Sequence, residues 1–138
     1  MSAAMSPKRT IALLALLLTG AASVWAQRNY AGFDRNEYPG DANLAALRKS
    51  FRFTSYWLNN PPGAQHNTWT GKRALLRKNG FGFLVLFNGR LFADLQGKDA
   101  VALGNEDGKA AVEAALREGF PRNTRIFLDQ EQGGRMLP

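Results

Sequence analysis

From Tyr30 onward, short apolar runs alternate with segments whose apolar residues recur at helical spacing. Four apolar runs of strand length are bounded by Gly, Pro or Asn: Tyr30–Asp34, Phe53–Leu58, Gly82–Phe87 and Arg125–Asp129. Three intervening segments predict helices: Asp41–Lys49 with Asp41 as N-cap, Gly71–Lys78, and one from Asn105 to Gly119. This βαβαβαβ order, with nearly continuous apolar strands, predicts a parallel sheet that is buried on both faces.

Two α/β architectures fit this order of elements: a doubly wound open sheet, and the N-terminal half, about four βα units, of a (β/α)₈ TIM-type barrel. No glycine-rich phosphate-binding motif follows the first strand, which disfavours a nucleotide site. Polar residues instead follow all four strands, at Asp34, Asn59, Asn88 and the pair Asp129 and Glu131. Because the carboxyl ends of barrel strands surround one pocket, this pattern favours the half-barrel.

The first 26 residues have the pattern of a secretory signal peptide. Lys8 and Arg9 precede the apolar run Ile11–Leu18, and small residues lead to a cleavage site after Ala26. The run is shorter than the ~20 residues of a spanning helix, although an uncleaved anchor is the alternative. The sequence therefore predicts a signal peptide over 1–26, a domain over 27–138, and a secreted or periplasmic location without a membrane span after cleavage.

Charge and cysteine content narrow the possible partners. The chain has 18 Lys and Arg against 11 Asp and Glu, a net charge of +7, and loss of Lys8 and Arg9 leaves 16 − 11 = +5. The bases are scattered and predict solvated helix faces, or weak attraction to an anionic envelope polymer. No basic run interleaved with aromatic residues suggests nucleic acid. The absence of Cys excludes disulfides and thiolate metal sites.

The segment Ile126-Phe-Leu-Asp129-Gln-Glu131 carries the chemistry that the sequence suggests most directly. Side chains alternate along a strand, so Asp129 and Glu131 point to the same side. Glycosidases use such a pair, with one acid to protonate the leaving oxygen and one carboxylate to support the cation-like transition state. An acid pair of this spacing also arises by chance, and a purely structural use of both carboxylates is the competing interpretation.

Four blocks in order resemble a secreted bacterial glycoside-hydrolase-like family, the one catalogued as domain of unknown function 1906. The blocks are Gly32–Gly40, Tyr56–Gly63, Gly80–Arg90 and Phe127–Glu131. That family resembles the (β/α)₈ barrels of family 25 lysozymes, which cleave the glycan of peptidoglycan, with an Asp closing the first strand and Asp-x-Glu closing the fourth. The resemblance implies catalytic roles for three residues: Glu131 as general acid, Asp129 as the group that orients the substrate acetamido group or stabilises charge, and Asp34 as the third acid of the pocket.

Substrate-binding candidates are the aromatic residues Tyr56 and Trp69, whose rings could stack on sugars, and the strand-end residues Asn88 and Arg90. For Trp57, in mid-strand, core packing is the preferred interpretation. His66 is the one histidine and lies in a Pro/Gly-rich loop, where a solvated position is expected. No metal-ligand spacing is present, and neither a metal nor another cofactor is predicted.

The predicted fourth strand lies close to the last residue, whereas a (β/α)₈ domain usually has ~250 residues. The sequence therefore predicts either a fragment or truncated reading frame, or a product that pairs with its own copy or with a separate second half. Three functions stay open: a glycosidase acting on peptidoglycan-type or related polysaccharide, a non-catalytic carbohydrate-binding or envelope-associated module, and an open-sheet domain for another small ligand.

Overall fold

Four short strands form one parallel sheet whose spatial order follows their order in the chain. The computed structural model describes residues 29–130, so the signal peptide predicted over 1–26 and Glu131 lie outside the described residues. The strands are β1 (Gly32–Phe33), β2 (Phe53–Trp57), β3 (Gly82–Asn88) and β4 (Phe127–Asp129), in the order β1-β2-β3-β4. All three pairings are parallel, which confirms the predicted α/β class and parallel sheet.

Helices connect successive strands. After a 3₁₀ turn at Asp41–Asn43 come α1 (Leu44–Ser50), α2 (Arg73–Lys78), α3 (Phe92–Leu95) and α4 (Ala100–Arg117). The four-residue α3 has no counterpart in the sequence prediction. Every strand pairs with the strand before or after it in the chain, as parallel strands joined by crossover helices do.

Two helix starts differ from the prediction. Asp41 does not cap a helix with its side chain; its carboxylate instead accepts a hydrogen bond of 3.1 Å from Lys72 Nζ. The last helix begins at Ala100 rather than Asn105, because the Asp99 carboxylate accepts hydrogen bonds from the amides of Val101 and Ala102. It ends at Arg117, and the predicted stop residue Gly119 follows the cap residue Glu118 with a φ of +77°, which suits glycine.

The sheet has one face that packs against helices, here called the helical face. The register places Phe33 beside Thr54 and Phe83, and Tyr56 beside Val85, on this face. Phe33 packs edge to face against Phe51, which directly follows α1. Small alanines allow α4 to lie close to the sheet, and Phe120, directly after it, packs on Tyr56 and Phe83. Most of the core of the described residues therefore lies between this face and α1, α2 and α4.

The other face of the sheet, here called the opposite face, is covered in part by loop segments and not by α1, α2 or α4. The segment after β1 folds over β2, where the Arg35 amide donates to Ser55 Oγ (3.2 Å) and the Arg35 carbonyl accepts from Trp57 Nε1 (3.1 Å). Ser55 and Trp57 are consequently buried. Trp57 thus has the core position preferred for it in the sequence interpretation.

Gly32 is required by close packing on this opposite face. The ring of Phe53, its partner in the β1–β2 register, occupies the space that a side chain at residue 32 would fill. A Cβ built on Gly32 would lie 2.2 Å from the nearest ring atom of Phe53. The aromatic ring therefore substitutes for the missing side chain and closes the start of the sheet.

Candidate functional site

The strand-end residues come together where β3 and β4 finish. The register places Asn88 directly beside Asp129, and alternation assigns both to the opposite face of the sheet. A cleft of about 170 Å³ lies against these two residues, lined also by Arg90 and Gln130 and by the turn at Pro62–Gly63. The carboxyl ends of parallel strands are the usual place for binding sites in α/β proteins, so this strand-end cleft is the candidate site.

The loop after β2 is tied to the end of β3 by paired asparagines. Asn59 Oδ1 accepts from the Asn88 amide (2.7 Å), and Asn59 Nδ2 donates to the Asn88 carbonyl (2.9 Å). The side-chain amide of Asn88 donates to the Asn60 carbonyl at 3.0 Å. Asn88 therefore lines the cleft, and its side-chain amide, predicted to donate to a substrate, donates to the loop after β2 and holds it in place.

Arg90 also lines the cleft, but its charge is neutralised from α4. Its Nε lies 3.1 and 2.9 Å from the two carboxylate oxygens of Asp107, and Nη2 lies 3.0 Å from Glu106. These interactions raise the pKa of Arg90 above its ordinary value, and the hydrogen bonds to Asp107 are the largest cause. The predicted substrate-binding cation is therefore a paired group that fixes the loop after β3 to α4.

Asp129 and Gln130 form the β4 side of the cleft. The Asp129 carbonyl accepts a 2.8 Å hydrogen bond from the Gly89 amide, which extends the β3–β4 pairing beyond the strands. Gln130 Nε2 donates to the Arg90 carbonyl at 3.3 Å. Asp129 is only partly buried, so its carboxylate is available to a ligand in the cleft. Gln130 was not singled out in the sequence, although its place between the two predicted acids indicates a strand-end position.

Asp34 and Glu131 are the other two predicted acids, and Asp34 is not among the residues that line the strand-end cleft. Asp34 is exposed and follows β1, three strand positions from Asp129 in the sheet. Adjacent strands are ~4.8 Å apart, so the two strand ends are separated by about 14 Å along a flat sheet, less where it curves. Glu131 lies outside the described residues. The cleft as described therefore presents the carboxylate of Asp129.

Tyr56 and Trp69, predicted to stack on sugar rings, belong to the core. Both side chains have 0% exposure. The Tyr56 hydroxyl donates to the Glu118 carboxylate and accepts from the Arg73 amide. Burial is the largest cause of the raised pKa of Tyr56, and the interaction with Glu118 is the second. Trp69 donates from Nε1 to the Asn36 carbonyl at 3.0 Å. Neither ring offers a face to a ligand, so the stacking prediction is wrong for both residues.

The remaining surfaces add no further chemistry to this site. His66 is exposed, as expected for its loop. Within residues 29–130, no group of three or more His, Asp or Glu side chains could hold a metal ion. No helix in the same part of the chain is both long and apolar enough to span a membrane.

Comparisons of the chain with protein-family models, with curated proteins and with solved structures gave no match. The resemblance to the glycoside-hydrolase-like family therefore depends on the four sequence blocks alone.

Proposed function

We propose that this chain is the N-terminal part of a secreted glycoside-hydrolase-like barrel that cleaves peptidoglycan-type or related polysaccharide at its strand ends. The observation that carries the proposal is the pairing of Asn88 and Asp129 beside the strand-end cleft, on the face away from the helices. The four sequence blocks that end at Glu131 supply the chemical class. A signal peptide over 1–26 would deliver the domain to an extracytoplasmic polysaccharide.

The strand order supports the proposed barrel architecture. In a doubly wound sheet the order reverses at a switch point, which places helices on both faces. Among the described strands the order runs β1-β2-β3-β4, and α1, α2 and α4 lie on one face. Successive βα units of a (β/α)₈ barrel have this arrangement, with helices outside and the other face turned inward.

The proposed reaction assigns one role to each acid. Glu131 protonates the glycosidic oxygen as the bond to the anomeric carbon breaks, and Asp129 orients the acetamido group or stabilises the cation-like transition state. A water molecule then bonds to the anomeric carbon and gives a proton back to Glu131, which completes the hydrolysis. Asp34 contributes negative charge from the β1 side of the pocket. The cleft of about 170 Å³ is smaller than the ~300–1,000 Å³ of sites that enclose a whole ligand, so it fits part of a saccharide chain.

Release of new reducing ends from purified peptidoglycan by the full-length protein tests the proposal. We expect Glu131→Gln to lower the rate by about 10²–10⁴-fold, the usual contribution of a general acid, without loss of binding. The matched control is Glu113→Gln, which removes an exposed carboxylate from α4. Equal turnover in the two variants would overturn the assignment of Glu131.

A non-catalytic carbohydrate-binding module is the second candidate. It requires of the cleft only groups that can hydrogen-bond to sugar hydroxyls, which the Asp129 carboxylate supplies. This candidate predicts saturable co-sedimentation with insoluble peptidoglycan that Asp129→Asn weakens, without any new reducing ends. Absence of both binding and cleavage would reject the two candidates together.

A further inference from the structure

A second, larger cleft lies beside the amino-terminal half of β3. Its volume is about 780 Å³, and it shares no lining residue with the strand-end cleft. It exists because β4 pairs with Leu86–Asn88 only, starting at Phe127. The segment that leads into β4, at Thr124–Arg125, therefore leaves a gap beside Phe83–Val85.

The walls of this β3 cleft are mainly apolar. They include phenylalanines from β2, β3, β4 and the segments after α2 and α4: Phe53, Phe81, Phe83, Phe120 and Phe127. Phe81 and Phe120 are almost fully buried, so the wall is anchored in the core, whereas Phe127 is 51% exposed. Such a volume with apolar walls is typical of small-molecule sites, which are usually ~300–1,000 Å³.

The polar groups of the β3 cleft are predominantly cationic. Arg73, Arg77 and Arg125 line it, and no Asp or Glu of residues 29–130 does. None of the ion pairs found within residues 29–130 includes any of these three arginines. The nearby Glu118 carboxylate is used elsewhere, since it accepts hydrogen bonds from Tyr56 and from the Gly71 amide.

Arg73 is the best placed of the three cations. Its guanidinium carbon lies 4.7 Å from the centre of the Phe120 ring, which holds the group against the cleft wall. Its Nε atom is buried and has no hydrogen-bond partner among the described residues. The charge of Arg73 is therefore not compensated by an ion pair or by an acceptor at Nε among the described residues, and it remains available to an anion in the cleft.

We infer that the β3 cleft binds a small amphiphilic anion of the fatty-acid type. The apolar tail would lie against the phenylalanines, and the carboxylate would accept hydrogen bonds from the arginines, whose planar donors match a carboxylate. A neutral amphiphile would leave the arginine donors without an anionic acceptor, and a cationic one would be repelled. The cleft therefore selects for charge as well as for length.

Titration calorimetry with dodecanoate, below its micelle concentration, tests the inference on the full chain. We expect saturable binding of one dodecanoate per chain and much weaker binding of dodecanol and dodecyltrimethylammonium. The variant Arg77→Gln/Arg125→Gln should lose affinity at least about tenfold, as for one charge-assisted hydrogen bond. Both arginines are exposed, so their replacement should leave the fold intact.

The matched control is Lys98→Gln/Lys109→Gln, which removes the same charge from exposed positions that do not line the β3 cleft. Retained affinity in this control, with loss in Arg73→Gln as well, supports the site. Equal loss in the control, or equal binding of dodecanol, would overturn it. A dimer in sedimentation that excludes dodecanoate would assign the cleft to a second copy and would also overturn it.

Discussion

Two residues that contribute no catalytic group set the geometry of the sheet. Gly32 permits the ring of Phe53 to lie directly against the β1 backbone, and the ring fills the volume of the absent side chain. Protein interiors are close-packed, so even one methyl group placed in such a contact forces side chains out of their preferred rotamers.

We therefore expect Gly32→Ala to lower the free energy of unfolding by about 1–3 kcal/mol, because the new Cβ overlaps the Phe53 ring. Urea denaturation monitored by tryptophan fluorescence measures the change. The matched control is Gly104→Ala on α4, where a Cβ meets no atom within 4 Å and the gain in helix propensity should stabilise by up to about 1 kcal/mol. Equal effects of the two substitutions would contradict the packing explanation.

The hydroxyl of Tyr56 makes stability sensitive to alkaline pH. Burial and the neighbouring Glu118 raise its pKa, so the folded protein retains a proton that the unfolded chain loses near pH 10. The stabilisation is complete below pH 10 and decreases as pH rises further. We expect the free energy of unfolding to fall above about pH 10, with a smaller slope in Tyr56→Phe. Tyr30→Phe, which changes an exposed ring, should keep the wild-type slope.

Among the described helices, α4 is the one that positions side chains at both the strand-end cleft and the β3 cleft. Asp107 and Glu106, in the first half of α4, form ion pairs with Arg90 at the strand-end cleft. Glu118 and Phe120 directly follow the helix; Glu118 binds the Tyr56 hydroxyl, and Phe120 lines the β3 cleft. The orientation of this helix therefore determines the position of side chains at both clefts. Asp99 fixes its start by accepting two backbone hydrogen bonds.

Removal of the Asp99 cap should destabilise the first turn of α4 and lower the free energy of unfolding of the protein. We predict that Asp99→Ala costs about 0.5–2 kcal/mol of unfolding free energy, because the amides of Val101 and Ala102 lose their acceptor. Chemical denaturation measures the loss. Lys98→Ala, at the adjacent exposed position, is the control and should change stability by less than about 0.5 kcal/mol.

The apolar pattern of the sequence predicts some elements of the fold better than others. The strands were predictable because a parallel sheet needs apolar residues on both faces, and β3 meets this requirement throughout its buried half. The start of α4 was missed because its first turns contain exposed residues and Gly104, so apolar periodicity begins only further along. The cap at Asp99 was the available signal.

The positions of some predicted site residues could not be derived from the sequence immediately around them. Trp69 follows a long polar loop, which suggested exposure, yet the loop folds back and its indole donates to Asn36. Likewise the pairing of Arg90 with Asp107 spans 17 residues and depends on how α4 docks. Asn88 and Asp129 were placed correctly because strand alternation and the parallel order decide their positions.

At the scale of the whole molecule, stability is concentrated in the two central strands. β2 has neighbours on both sides and four consecutive buried residues, whereas β4 has three residues, with Phe127 and Leu128 more than half exposed. Local opening follows burial and pairing, so the β4 side of the sheet should open more readily than the centre.

Native-state hydrogen exchange should resolve this difference. We expect the Leu58 amide, bonded to the Leu86 carbonyl, to exchange only through global unfolding, and the Gly89 amide, bonded to the Asp129 carbonyl, to exchange through local opening. Low denaturant concentrations should then accelerate exchange at Leu58 and leave Gly89 nearly unchanged. Equal denaturant dependence at both amides would show that the sheet opens as one unit.

The sequential strand order has a consequence for how such a chain can change during evolution. Because each strand pairs with its neighbours in the chain, a whole βα unit can be gained or lost at a sheet edge without re-pairing the strands that remain. Duplication or fusion of genes encoding these units would thus extend the sheet one strand at a time. The hydrogen bonds between Asn59 and Asn88 are an example of how one unit can be joined to the next by side chains at the carboxyl ends of the strands.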